Sequence, residues 1–438
     1  MANIKLAQTL QGNIDNLNNN WMHKVSMSSL ELFYSNFFEC MFKENFSHIL
    51  KALNINLKIH SNLKLVIERE YHLGVNKGKN KEEITDIMIG FEITINKKQI
   101  IIPYIIIENK VKSYPRNEQL KGQHDALKQQ LLKQLKLVQK NIQSSICSFV
   151  ANFYGINSNT NVDADIDTIV QKCHEILLTY IPAHKDVLNG TGFKQLLYKD
   201  FCNNINPCQF KNHSQYVKDY HDMIRDICVV LEKLTDTNGN NVIDYTNSNL
   251  ANHLYYMADE FEVLQAIDFQ DVFRKYQASL LEAYLVQLFI DSSNSTYRDT
   301  GIHVRTESLM NDKNGTTTFF LVLDGPAVRG KENLSIGVQV QGKQFRVMVV
   351  GKKIEKIYNK PKLLPNCIIE LWNNNSISEG KGRSNDNFNS YKPDCIYKYV
   401  DINKEWKKRP TFYELGTKIG NVLEYIVTNR TTLENNIP

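Results

Sequence analysis

The stretch IIIENKVKSYPRNEQ, residues 105–119, joins an apolar run to a cluster of charged residues. Its three isoleucines run directly into Glu108, Asn109 and Lys110. A continuous apolar run is typical of a strand covered on both faces of a sheet. Charges buried at the end of such a strand cost several kcal/mol unless a metal ion or a partner compensates them. We therefore expect a functional site where this strand ends.

A hairpin brings a second acidic residue to the same place. The segments EITDIMIGFEITI (83–95) and QIIIPYIII (99–107) read as strands joined by a short polar link. Asp86 and Glu108 each lie 11 residues from Lys97, so a turn centred on Lys97 places them opposite each other. Cross-strand neighbours lie about 4.5 to 5.5 Å apart at Cβ. A bulge at Pro103 would move this pairing by one residue.

These residue types suit phosphate chemistry with a divalent cation. Mg²⁺ prefers oxygen ligands and usually takes one or two carboxylates, which Asp86 and Glu108 provide. Lys110 shares a strand face with Glu108, about 6 to 7 Å away along the chain, and can hold or help deprotonate an attacking water. The alternative for each residue alone is an exposed charge at a strand end.

The flanking segments predict an α/β core. Residues 28–46 predict a first helix, 63–71 a strand, and 144–156 a further strand. Pro115 starts a long amphipathic helix. The expected order is helix, strand, strand, strand, helix, strand, forming a mixed sheet flanked by helices. The apolar stripes expected on the two helices are Leu30, Phe33, Tyr34, Phe37 and Met41, and Leu120, Leu127, Leu131, Leu135 and Val138.

A low-complexity loop, TDTNGNNVIDYTNSN (235–249), predicts a domain boundary. We expect a catalytic domain at 1–235 and a strand-rich α+β domain at 236–438. The latter contains a predicted hairpin that turns near Gln341-Gly342-Lys343. Lys343, Phe345 and Arg346 are candidate nucleic-acid contacts, with sheet packing as the alternative. Target recognition, homodimer formation and docking of a protein partner remain open roles for this region.

The composition limits the class of protein. The chain has 438 residues, is 42% hydrophobic and carries a formal net charge of +5, which leans toward anionic partners. We find no apolar run of membrane-spanning length and no signal-peptide core, and eight irregularly spaced cysteines suit free thiols. We therefore expect a cytoplasmic protein without membrane association.

Together these motifs resemble the PD-(D/E)XK nuclease superfamily. The resemblance rests on Asp86 followed by Glu108-Asn109-Lys110, on ELFYSNFFECMF (31–42), which is similar to the E-L-F-x-S-x-F first helix of a bacterial branch, and on EREY (68–71). It covers roughly residues 25 to 235. It implies a restriction-endonuclease-like fold and Mg²⁺-dependent hydrolysis of phosphodiester bonds, with Mn²⁺ expected to substitute.

Carried over by position, the resemblance assigns five site residues. Asp86, Glu108 and Glu31 become metal ligands, Lys110 the catalytic lysine, and Gln119 a helix residue that faces the site. A solvated helix residue is the alternative for Glu31, and an exposed side chain is the alternative for Gln119.

Three nearby positions bear on this assignment. Gln123 stands where the branch often has tyrosine, and Thr85 stands where a basic or apolar residue is common. Gly122 would let the helix approach a phosphate backbone closely. These departures leave the metal ligands in place and make substrate handling less defined.

The residues and the resemblance together predict a Mg²⁺-dependent DNA endonuclease, and the resemblance implies a role in bacterial defence. The alternatives are a catalytically silent nucleic-acid-binding or assembly module of the same fold, and an RNase.

Overall fold

The computed structural model contains two compact units, Gln8–Val230, and Met1–Ala7 together with Leu231–Pro438. The residues that the structure describes are 2–26, 30–56, 64–76, 81–111, 115–180, 182–183, 185–235, 250–255, 262–265, 267–268, 270–289, 302–308, 317–323, 335–351, 366–378, 388–390, 395–407, 409–429 and 431–433.

Helices and strands alternate in blocks along the chain. The helices are α1 (Ala2–Asn19), α2 (Trp21–Ser26), α3 (Leu30–Glu44), α4 (Phe46–Ala52), α5 (Asn117–Lys140), α6 (Ser145–Tyr154), α7 (Val162–Val170), α8 (Lys185–Leu188), α9 (Tyr198–Asn204), α10 (Ser214–Thr235), α11 (Glu262–Gln265), α12 (Gln270–Phe289), α13 (Asn366–Asn374), α14 (Ile402–Trp406) and α15 (Phe412–Thr428). The strands are β1 (Lys64–Asn76), β2 (Lys81–Ile95), β3 (Lys98–Lys110), β4 (His174–Thr179), β5 (Phe193–Leu197), β6 (Ile302–Ser308), β7 (Thr317–Leu323), β8 (Ser335–Gln341), β9 (Gln344–Val350), β10 (Asn389–Ser390) and β11 (Cys395–Asp401).

The first unit is built on a mixed five-stranded sheet in the order β1-β2-β3-β4-β5. The pairs β1/β2 and β2/β3 are antiparallel, whereas β3/β4 and β4/β5 are parallel. Strand β3 therefore lies at the centre, and it is buried from Ile102 to its last residue, Lys110. The expected α/β class, with a mixed sheet flanked by helices, is confirmed.

The β2–β3 hairpin reaches the expected register by a different route. Its tight turn is Asn96-Lys97, both with positive φ (51° and 63°), and it pairs Ile95 with Lys98. This turn alone would leave Asp86 one residue out of register with Glu108. A shift between Ile89 and Gly90 supplies one extra residue, Tyr104, after which Ile87 pairs with Ile107. One further step along the strands brings Asp86 beside Glu108.

The segment 144–156 is a helix rather than the expected strand. Within α6, Cys147, Val150, Ala151 and Tyr154 are buried, and this spacing of three or four residues is helical. Gly155 ends the helix in a left-handed conformation (φ 72°). The next core strand is β4, which follows α6 and α7.

The two flanking helices follow their sequence patterns to different degrees. In α5 the predicted stripe is fully buried, including Leu120 and Val138. In α3, Tyr34 and Met41 are buried as expected, but Phe33 and Phe37 are partly exposed and stack on each other at 6.3 Å. The buried positions include Phe38 instead, so the inward face is rotated from the predicted one.

The second unit contains an antiparallel six-stranded sheet in the order β10-β11-β9-β8-β7-β6. The predicted hairpin is β8–β9, which pairs Gln341 with Gln344. Phe345 is fully buried 6.3 Å from the Trp406 ring, which excludes it as an exposed nucleic-acid contact. Arg346, the next residue, lies over the ring of Tyr397 at 4.8 Å.

Long apolar helices do not occur in the described part of the chain. No helix there has the combination of length and hydropathy needed to cross a membrane.

Replacement of Gly90 by alanine tests the register shift. A Cβ at Gly90 would lie 2.6 Å from the backbone oxygen of Ile102, so β3 would have to move. We expect Gly90→Ala to lower the free energy of unfolding by about 1 to 3 kcal/mol, measured by urea denaturation. The control is Gly12→Ala on α1, where a Cβ meets nothing within 4 Å and should raise stability by about 0.5 to 1 kcal/mol. Equal effects at the two positions would contradict the observed packing of the shift.

Candidate active site

The site lies where β2 and β3 separate. Their backbone ladder ends at the Ile87–Ile107 pair, and side chains bridge the strands beyond it. The Thr85 hydroxyl donates to the Ile107 carbonyl at 3.1 Å. The Asn109 backbone N–H donates to Asp86 Oδ2 at 2.6 Å. These bonds fix the spacing of the two strands. They place the Asp86 carboxylate at the backbone of Asn109, the residue after Glu108.

Strand β1, on the other side of β2, is also irregular beside Asp86. Strand β1 pairs Arg69 with Ile87 and Tyr71 with Thr85, so Glu70 falls opposite Asp86 without forming a pair in the ladder. Glu70 has a positive φ of 47°, which is uncommon for a residue with a side chain. Strained backbone of this kind clusters at functional sites. Asp86 therefore lies between irregularities in both neighbouring strands.

Glu108 is buried and receives three polar contacts. It is only 2% exposed. Lys110 Nζ and Gln119 Nε2 both lie 2.6 Å from Oε1, and Gln123 Nε2 donates to Oε2 at 2.7 Å. Lys110 is itself 8% exposed, so this is a buried ion pair. The three contacts hold the Glu108 carboxylate in one orientation.

Helix α5 supplies the two glutamines and is tied to the sheet on both sides. Gln123 Nε2 also donates to the Ile84 carbonyl on β2 at 2.7 Å. On the other side of the helix, His124 Nδ1 lies 2.8 Å from Glu175 Oε1 on β4. The helix therefore cannot shift without breaking buried polar contacts, and its glutamines stay aligned with Glu108.

Asn109 points to the opposite face of the sheet, as alternation along a strand requires. Its Nδ2 donates to the Ser35 hydroxyl on α3 at 3.4 Å, and its Oδ1 accepts a hydrogen bond from the Tyr198 hydroxyl at the start of α9. Tyr198 is fully buried and stacks on Tyr180 with ring centroids 4.3 Å apart. Ser35 and Tyr198 thus hold Asn109 from the face of the sheet opposite to Glu108 and Lys110.

A further buried acid, Glu83, packs against α5. Glu83 on β2 is 4% exposed, and its carboxylate fills the space beside Gly122, where a Cβ would lie 2.6 Å from Oε1. We expected this glycine to admit a phosphate backbone. The neighbouring carboxylate argues against that role, because it would repel a phosphate; the glycine instead leaves room for Glu83.

The structure brings together four of the five predicted site residues, Asp86, Glu108, Lys110 and Gln119. Glu31 lies in the first turn of α3, but its side chain falls outside the described residues. Sequence reasoning missed the roles of Gln123, Asn109 and Tyr198. For Gln123 a signal existed, because Gln119 and Gln123 are four residues apart and so share one helix face.

The donor set suits a hard divalent cation. Among the described residues of the site, the two carboxylates of Asp86 and Glu108 outnumber the one ammonium group of Lys110. Gln123 Oε1 is buried without a hydrogen-bond partner, and an amide oxygen can bind a cation or its water. Among the described residues, no group of three or more His, Cys, Asp and Glu side chains could hold a metal. Mg²⁺ needs only one or two carboxylates, so Asp86 and Glu108 meet its requirement.

Truncation of Gln123 tests how the carboxylate is held. Gln123→Ala would leave Glu108 Oε2 and the Ile84 carbonyl without this donor, so we expect a loss of about 1 to 3 kcal/mol in the free energy of unfolding. The control is Gln129→Ala on the exposed side of the same helix, which should change stability by less than about 0.5 kcal/mol. Urea denaturation measures both. Similar losses in the two variants would contradict a specific role for Gln123.

No family model matches the chain, and neither the curated proteins nor the solved structures give a significant match. The proposed function therefore rests on the geometry of Asp86, Glu108 and Lys110.

Proposed function

We propose that the chain is a Mg²⁺-dependent nuclease of the PD-(D/E)XK type that hydrolyses phosphodiester bonds, with DNA as the expected substrate. One observation carries the proposal: Asp86 is bonded to the backbone of Asn109, between Glu108 and Lys110, at the buried end of a central strand. The mixed five-stranded sheet with helices on its faces supports a restriction-endonuclease-like core.

Asp86 and Glu108 would hold the cation. When bound, Mg²⁺ supplies Lewis-acid stabilisation of the charge on the phosphoryl oxygens. Gln119 and Gln123 orient Glu108, so its carboxylate need not reorganise when a cation binds. This fixed arrangement is the kind of electrostatic preorganisation from which most of the rate enhancement must come.

Lys110 would act on the reacting groups. In hydrolysis, a water oxygen forms a bond to phosphorus as its proton passes to solvent. The bond from phosphorus to the leaving oxygen breaks, and that oxygen takes up a proton from solvent to become a hydroxyl. Lys110 Nζ can donate a hydrogen bond to the attacking water or to a phosphoryl oxygen, and its charge offsets the negative charge that develops at phosphorus. Its contact with Glu108 Oε1 keeps the ammonium group in place for this role.

Nuclease activity is tested by incubating the purified chain with supercoiled plasmid in Mg²⁺, Mn²⁺ and EDTA. We expect metal-dependent cutting that falls on the order of 100-fold or more in Asp86→Asn and in Lys110→Gln, because each removes a charge from the reacting centre. Glu82→Gln is the matched control, since Glu82 lies on the same strand with its side chain 53% exposed and should cut at the wild-type rate.

Each other outcome has a definite meaning. Cutting of RNA but not DNA in a parallel digestion would change the substrate class and leave the site intact. Cutting that survives in Asp86→Asn and Lys110→Gln would contradict the site. Failure of a well-folded wild type to cut either nucleic acid in any metal would contradict catalysis and favour a nucleic-acid-binding module. A defence role would be contradicted if the gene protected bacteria against neither phage nor plasmid.

A further inference from the structure

Asn109 connects the two faces of the sheet. On the sheet face that α5 covers, its neighbours Glu108 and Lys110 form part of the candidate site. Its own backbone N–H holds Asp86 Oδ2 at 2.6 Å. On the other face, its side chain is held by the Tyr198 hydroxyl and by Ser35. A displacement of Asn109 would therefore move the donor that fixes Asp86.

Tyr198 is well suited to anchor Asn109. Burial raises its pKa well above the usual value for tyrosine, so the hydroxyl keeps its proton and remains a donor. Its ring stacks on Tyr180 and meets Tyr34 edge-to-face at 5.4 Å. Tyr180 uses its own hydroxyl differently, in a 2.9 Å contact with the Tyr34 hydroxyl. Only one member of this stacked pair is thus bonded to Asn109.

We propose that Tyr198 is a positioning residue for the candidate site, which fixes the Asn109 backbone N–H that holds the Asp86 carboxylate. The expected effect on divalent-cation binding rests on the proposed function. The link from Tyr198 through Asn109 to Asp86 does not depend on that function. Lys110 is the last residue of β3, and strand ends open more readily than strand centres. The hydrogen bond from Tyr198 to Asn109 opposes local opening of β3 beyond Ile107, where backbone pairing with β2 has ended.

Two measurements on the full chain test the proposal. The first is amide hydrogen exchange over residues 105–111 in metal-free protein, and the second is calorimetric titration with Mn²⁺. In Tyr198→Phe we expect exchange of the Asn109 amide to speed up, and Mn²⁺ affinity to fall about 10-fold, as for other residues that orient metal ligands. The matched control is Tyr180→Phe, which removes a buried hydroxyl from the same stack without touching Asn109.

A second variant guards against misfolding of Tyr198→Phe. Ser35→Ala removes the acceptor of the longer bond from Asn109 Nδ2 and should shift both readouts in the same direction by a smaller amount. If exchange at Asn109 is equal in Tyr198→Phe and Tyr180→Phe, the proposal is wrong. Faster exchange with unchanged Mn²⁺ affinity would also overturn it, because Asp86 would then be held without this anchor.

The failure of the proposed function would look different. If the wild type bound no Mn²⁺, the metal site itself would be excluded, whereas the exchange comparison would still decide whether Tyr198 fixes Asn109.

Discussion

The buried ion pair between Glu108 and Lys110 is the constraint on which the rest of the site depends. Both residues end a central strand that is covered on both faces, and they are 2% and 8% exposed. Charges in such surroundings must be paired and hydrogen-bonded, since an uncompensated one is strongly destabilising. The glutamines of α5 meet that requirement for Glu108. A helix that carries them must lie in one position over the sheet, and its contacts to β2 and β4 keep it there.

A satisfied ion pair alone does not explain why the Asp86 carboxylate lies at the backbone of Asn109, the residue after Glu108. Further carboxylates in a partly buried site add repulsion, and replacing them with apolar residues would be the simpler way to build a core. The proposed divalent cation would offset this repulsion, because it would bind between the carboxylates. The separation of β2 and β3 after Ile87–Ile107 also has a role in this view, because it frees Asp86 from the ladder so that its carboxylate can serve a ligand.

Sequence reasoning placed Glu108 and Lys110 together because both lie in one short stretch, and it placed Asp86 near them through the register of the hairpin. The predicted alignment of Asp86 with Glu108 was correct only because two departures cancelled: the turn is centred half a residue before Lys97, and a bulge at Tyr104 restores the register. Periodicity predicted the buried stripe of α5. It was misread at 144–156, where a short apolar run can be either a strand or a buried helix. The anchor from Tyr198 to Asn109 joins residues 89 positions apart and leaves no local pattern.

The account depends most directly on a cation between Asp86 and Glu108. Crystals of the wild-type chain soaked in Mn²⁺ would reveal it by anomalous diffraction. The account predicts a peak about 2.0 to 2.3 Å from a carboxylate oxygen of each residue, with Lys110 beside it and Gln119 and Gln123 still bonded to Glu108. A fully occupied Mn²⁺ elsewhere, or no peak at these carboxylates at saturating Mn²⁺, would contradict it.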